Sequence, residues 1–64
     1  MALKLYARAQ CHLCEEMARE LQARGVEFEK IDVDSDLALL RRFGKRVPVL
    51  FDEERGEIAL ENLR

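Results

Sequence analysis

The chain has no apolar run near the roughly 20 residues needed to span a bilayer. Its longest, Val47-Pro48-Val49-Leu50-Phe51, is five residues, so no membrane segment is expected. It also lacks a basic excess. Eleven Lys plus Arg against 13 Asp plus Glu give a net charge of −2, so nucleic acid is not an expected partner. The opening residues Met1-Ala2-Leu3-Lys4-Leu5-Tyr6 alternate apolar and polar, unlike the apolar stretch and small-residue cleavage site of a signal peptide. The expected location is therefore the cytoplasm. There is no internal repeat, low-complexity tract or Gly/Ser-rich linker, and 64 residues are expected to form one domain, 1–64. A chain this short buries only about 60% of its unfolded surface, so a stability of a few kcal/mol is expected.

What is present begins with a strand at Ala2–Ala7, where Leu3 and Leu5 alternate with Lys4 and Tyr6. After Gln10 the period changes. Leu13, Met17 and Leu21 recur every fourth residue beside Cys14 and Ala18, with charged residues on the other faces, predicting an amphipathic helix over 11–24 closed by Gly25. Val26–Asp34 is rich in β-branched and aromatic residues and predicts a second strand. Its apolar positions change parity between Phe28 and Ile31, as in a strand covered on both faces. Asp34, Ser35 and Asp36 supply cap candidates for a second helix carrying Leu37, Leu39, Leu40 and Phe43 and closed by Gly44. Val47–Phe51 predicts a third strand with Pro48 near its start, Glu53–Gly56 a turn, and Glu57–Leu60 a short return strand. The order is βαβαββ, an α/β chain whose right-handed βαβ unit and hairpin form one mixed four-stranded sheet.

The only two cysteines stand two residues apart, as Cys11-His12-Leu13-Cys14. A bridge across so short a ring removes little chain entropy and is a poor staple. Thiol–disulfide exchange uses the same spacing well. Cys11 falls where strand gives way to helix, so its sulfur faces the positive helix end, the arrangement that lowers a thiol pKa. Cys14 lies three residues on and thus within reach of disulfide geometry. His12 adds positive charge when protonated, and Glu15 and Glu16 oppose it.

In this context the chain resembles the glutaredoxin branch of the thioredoxin superfamily, particularly small bacterial glutaredoxin-like proteins. The resemblance is carried by the strand-Cys11-His12-Leu13-Cys14-helix unit, by Ile31-Asp32-Val33-Asp34, and by Gly44-Lys45-Arg46-Val47-Pro48-Val49-Leu50. It implies a thioredoxin-like fold whose C-terminal helix is missing or vestigial, at Glu61–Arg64. It implies redox chemistry in which Cys11 attacks and Cys14 resolves a mixed disulfide, serving electron transport and cell redox homeostasis. Pro48 is then a cis-proline packed against the cysteines, and Val47 offers backbone hydrogen bonds to substrate. Arg8, three residues before Cys11, and Arg46 are the cations expected to bind a carboxylate. Arg41 and Arg42 fit a solvated helix end equally well.

No bound cofactor is expected, with glutathione the candidate reductant. The expected partners are a disulfide-containing protein or a glutathione mixed disulfide, and the expected state is a monomer or weak dimer. The chain departs from the glutaredoxin pattern in three places: His12-Leu13 replaces Pro plus an aromatic, Arg46 replaces Thr, and no Gly-Gly precedes Glu61. Two further readings come from other classes. One is a metal or iron–sulfur module built on Cys11, Cys14 and His12, which a dimer would have to complete, because no second cysteine pair or further histidine exists. The other is a thiol-independent interaction domain.

Overall fold

The computed structural model of the chain describes residues 3–62. Its elements run β1 (Leu3–Ala7), α1 (His12–Ala23), β2 (Glu29–Asp32), α2 (Leu37–Phe43), β3 (Val49–Asp52) and β4 (Gly56–Ile58), with short 3-10 turns at Val33–Ser35 and Leu60–Asn62. The strands form one mixed sheet in the order β2-β1-β3-β4. β1 is central, parallel to β2 with Tyr6 opposite Ile31, and antiparallel to β3 with Leu5 opposite Leu50. β3 and β4 close as an antiparallel hairpin with Leu50 opposite Ile58. This is the expected thioredoxin-like arrangement, an α/β sheet with two helices.

Alternation along β1 divides the core into two layers. Leu3 and Leu5 meet Leu21 of α1 and Leu50 of β3, with Met17, Ala18, Val26, Phe28, Ile58 and Leu60 around them. Tyr6 points to the other face, where Val33, Phe43 and Val49 join it. There the Tyr6 and Phe43 rings stack with centroids 4.6 Å apart, and Phe51 meets Tyr6 edge-on at 6.0 Å. The parity change in the second strand now has its cause. Phe28 lies before the strand proper and packs on the α1 layer, whereas Ile31 packs on the α2 layer.

Several boundaries differ from expectation. The second strand is confined to Glu29–Asp32, because Asp32 accepts the Asp34 N–H at 2.9 Å and turns the chain into a 3-10 turn that buries Val33. The third strand starts at Val49, two residues after the predicted start, beyond the cis peptide between Val47 and Pro48. The return strand ends at Ile58, and Leu60 belongs to the following 3-10 turn. Of the first strand's predicted start, Ala2 lies outside the described residues. So do Leu63 and Arg64 of the predicted vestigial helix; what precedes them is the 3-10 turn Leu60–Asn62. Of the apolar residues expected on the second helix, Leu37 is 61% exposed at that helix's first position.

The two helices end differently. Gly25 adopts φ +70°, its N–H bonds the Gln22 carbonyl and the Val26 N–H bonds the Leu21 carbonyl, both at 3.0 Å. That is a Schellman closure with Val26 packed back on the core. Gly44 stays right-handed at φ −55°. There glycine is required by close approach, since a Cβ would press into the Leu40 carbonyl oxygen.

Candidate functional site

The site begins where β1 ends. Ala7 closes the central strand, and Gln10 takes a left-handed φ of 59°, an uncommon conformation for a residue with a side chain. That turn delivers Cys11 to the mouth of α1 in an extended conformation, φ −101° and ψ 104°, as its N-cap residue. Its Sγ accepts the Cys14 N–H at 3.1 Å, a bond that ordinarily goes to a Ser, Thr, Asp or Asn oxygen. Nothing in the sequence pattern marked Gln10, because left-handed glutamine has no composition signature.

The cysteine side chains meet. Their Cα atoms are 5.2 Å apart and their sulfurs are joined as a disulfide. The two differ in access: Cys11 is half-buried, while Cys14, one turn deeper, is 1% exposed. His12 and Leu13 between them face solvent. The His12 Nε2 lies 3.8 Å from a Glu16 carboxylate oxygen.

The cations read from the sequence are already engaged. Arg8 is gripped by Asp34 through two contacts, Nε to Oδ2 at 3.1 Å and Nη2 to Oδ1 at 3.0 Å. This pair links the segment after β1 to the turn after β2. Arg46 is held bidentately by Glu57, with Nη1 at 2.9 Å from Oε1 and Nη2 on Oε2. The Glu57 carboxylate raises the Arg46 pKa above its ordinary value, first through the hydrogen bond and then through charge. Arg41 and Arg42 lie in the last turn of α2, where positive charge complements the helix dipole, and Arg42 also covers the Phe43 ring at 4.9 Å. Asp34 and Glu57 are contributors that sequence reasoning missed. Each lies 11 or more residues from its arginine, beyond the reach of local periodicity.

The Val47–Pro48 peptide is cis. Val47 lies outside the strand ladders, and among the described residues its backbone groups have no backbone partner. Pro48 joins Leu13, Met17 and Leu60 in lining an open groove beside the cysteine turn. Among the described residues no three His, Cys, Asp or Glu side chains converge to hold a metal, and no helix is long and apolar enough to cross a membrane.

A parallel βαβ unit joined to an antiparallel hairpin, with a paired Cys-x-x-Cys at the first helix mouth, defines a thioredoxin-superfamily protein of the glutaredoxin-like kind. The chain matches the Glutaredoxin-like domain (DUF836) over residues 2–63. It belongs to that family. Among solved structures it is similar to the X-ray structure of Northeast Structural Genomics target protein XcR50 from X. campestris. That likeness has 44% sequence identity and a TM-score of 0.78, covering 88% of this chain and 76% of that one. No curated protein is significantly similar to it.

Proposed function

We propose that the chain is a thiol–disulfide oxidoreductase in which the Cys11 thiolate attacks a substrate disulfide and Cys14 resolves the resulting mixed disulfide. One observation carries the reading: the half-buried Cys11 sits at the helix mouth, and its buried disulfide partner Cys14 lies one turn behind it. The difference in access supports this order. An incoming disulfide reaches Cys11, while Cys14 reaches only Cys11. The Cys14 N–H and the positive end of α1 stabilise negative charge on the Cys11 sulfur, in the attacking thiolate and again when Cys11 is the leaving group.

The other assigned residues act around this pair. Val47 offers its free N–H and C=O to an extended substrate segment, and Pro48 forms the wall beside it. His12 adds positive charge next to the sulfur when protonated. Arg8 and Arg46 fix the loops on either side of the site through Asp34 and Glu57. The partner is a disulfide-containing protein or a glutathione mixed disulfide, and a thiol reductant, glutathione among them, restores the dithiol. The reaction belongs to cytoplasmic redox homeostasis, and the protein acts as a monomer or weak dimer.

The test is exchange with a small disulfide, quenched by alkylation and read by intact mass. Cys14→Ser should accumulate a mixed disulfide on Cys11, and Cys11→Ser should form none. Exchange persisting in Cys11→Ser would overturn the assignment.

A further inference from the structure

The apolar stripe of α1 starts in the core and ends in the open. Leu21 is fully buried, Met17 half-buried and Leu13 63% exposed, so the stripe emerges one turn at a time toward the cysteines. Leu13, Met17, Pro48 and Leu60 line an open groove of about 400 Å³, whose remaining lining residues are Glu16 and Glu20. No cation lines it. Arg24 offsets Glu20, with Nε 3.0 Å from its carboxylate, which leaves Glu16 with His12 as its only close basic neighbour among the described residues. An adjoining cavity of about 320 Å³ shares Met17, Pro48 and Leu60, and among the described residues its lining has one cation, Arg46, which Glu57 already holds.

This charge arrangement discriminates between occupants. Glutathione carries two carboxylates and one ammonium, so it brings net negative charge to an acidic rim whose neighbouring arginine is neutralised. A polypeptide with an aliphatic side chain and a Lys or Arg beside its cysteine brings apolar area to the floor and the opposite charge to the rim. Building on the oxidoreductase reading, we propose that the groove selects protein disulfides flanked by an aliphatic and a cationic residue, and disfavours oxidised glutathione. The aliphatic side chain lies among Leu13, Met17 and Pro48, and the cation faces Glu16.

The step balances within the two chains. Cys11 attacks one partner sulfur, forming the mixed disulfide and breaking the partner's own bond, and the released sulfur takes a proton. Cys14 then attacks the Cys11 sulfur, closing the Cys11–Cys14 bond and expelling the second partner sulfur, which takes the other proton. The dithiol loses two electrons and the partner gains them.

The experiment measures initial rates for the reduced full chain with five disulfides. These are bis(2-hydroxyethyl) disulfide, which is neutral and too small for the groove, oxidised glutathione, and three peptide disulfides differing only in the two residues after cysteine. The pairs are Leu-Lys, Leu-Glu and Ser-Lys. Leu-Lys should exceed Leu-Glu about fivefold at low salt, with the difference shrinking at 0.5 M salt. It should also exceed Ser-Lys and oxidised glutathione. In Glu16→Lys the Leu-Lys to Leu-Glu ratio should invert, a ratio that cancels any change in thiol reactivity. Exchange with the neutral disulfide but equal Leu-Lys and Leu-Glu rates, or glutathione as fast as Leu-Lys, overturns the groove selectivity alone. Leu-Lys no faster than Ser-Lys overturns its apolar half. No exchange with any disulfide overturns the oxidoreductase reading and this inference together.

Discussion

The two helices begin with the same device made from different atoms. At α2 the Asp36 carboxylate accepts the Ala38 N–H at 2.8 Å. At α1 the Cys11 sulfur accepts the Cys14 N–H at 3.1 Å. A carboxylate is among the preferred helix caps and carries its charge at every pH near neutral. Sulfur is a weak acceptor, so α1 gives up part of a cap's stabilisation and in return places one half of the disulfide at its N-terminus. α2 is anchored for stability alone. α1 opens on the disulfide turn and is anchored by Leu21, deep in the core.

The largest effect that would sharpen this contrast comes from Cys11→Ser. Serine is a better cap than cysteine but no thiolate, so exchange should fall at least about a thousandfold while the melting temperature of the reduced protein stays level or rises. A large drop in melting temperature would mean that the sulfur also bears structural weight. Next comes the α2 anchor. Phe43→Ala removes a fully buried ring stacked on Tyr6 and should cost about 3–5 kcal/mol, enough to leave a domain of this size near its unfolding midpoint in denaturant-free buffer, as read by circular dichroism.

Asp36→Ala should cost about 1 kcal/mol in urea unfolding and leave the exchange rate unchanged, because α2 lies on the opposite side of the sheet from the disulfide layer. An altered rate would show that the two helix starts are coupled. The smallest effect concerns a third cap. Asp52 is buried at the β3–β4 turn, and one carboxylate oxygen accepts the Glu54 N–H at 2.8 Å and the Arg55 N–H at 3.3 Å. The Glu54 hydrogen bond leads in holding its pKa below the ordinary 3.8. The folded value is depressed, so the stabilisation is present above the ordinary value and is lost as pH falls through the folded one. Melting temperatures between pH 5 and pH 2 should therefore fall more steeply for the wild type than for Asp52→Asn. Parallel slopes would remove Asp52 from the account.

Local signals carried most of the fold. The four-residue stripe of Leu13, Met17 and Leu21, the Cys-x-x-Cys spacing and the alternation of Leu3 and Leu5 each report on contacts within one element, so α1, β1 and the disulfide turn were readable in advance. Features depending on distant residues were not. The Arg8–Asp34 and Arg46–Glu57 pairs join segments brought together only by the sheet, so arginines that read as free cations are occupied. Leu60 alternates with Ile58 like a strand residue but turns away into a 3-10 turn to pack on the α1 layer. Leu13 has the periodicity of a core residue yet is exposed, in the first turn of α1.

The strand order leaves β2 and β4 on the outside, each with one row of backbone groups unpaired within the sheet. Open edges of this kind invite other chains to add strands and grow into aggregates. β2 meets the hazard with charge: Glu29, Lys30 and Asp32 are exposed along its four residues. β4 meets it with brevity, three residues beginning at a glycine with φ +83°. Charge along one edge and brevity at the other leave this small sheet a poor template for added strands.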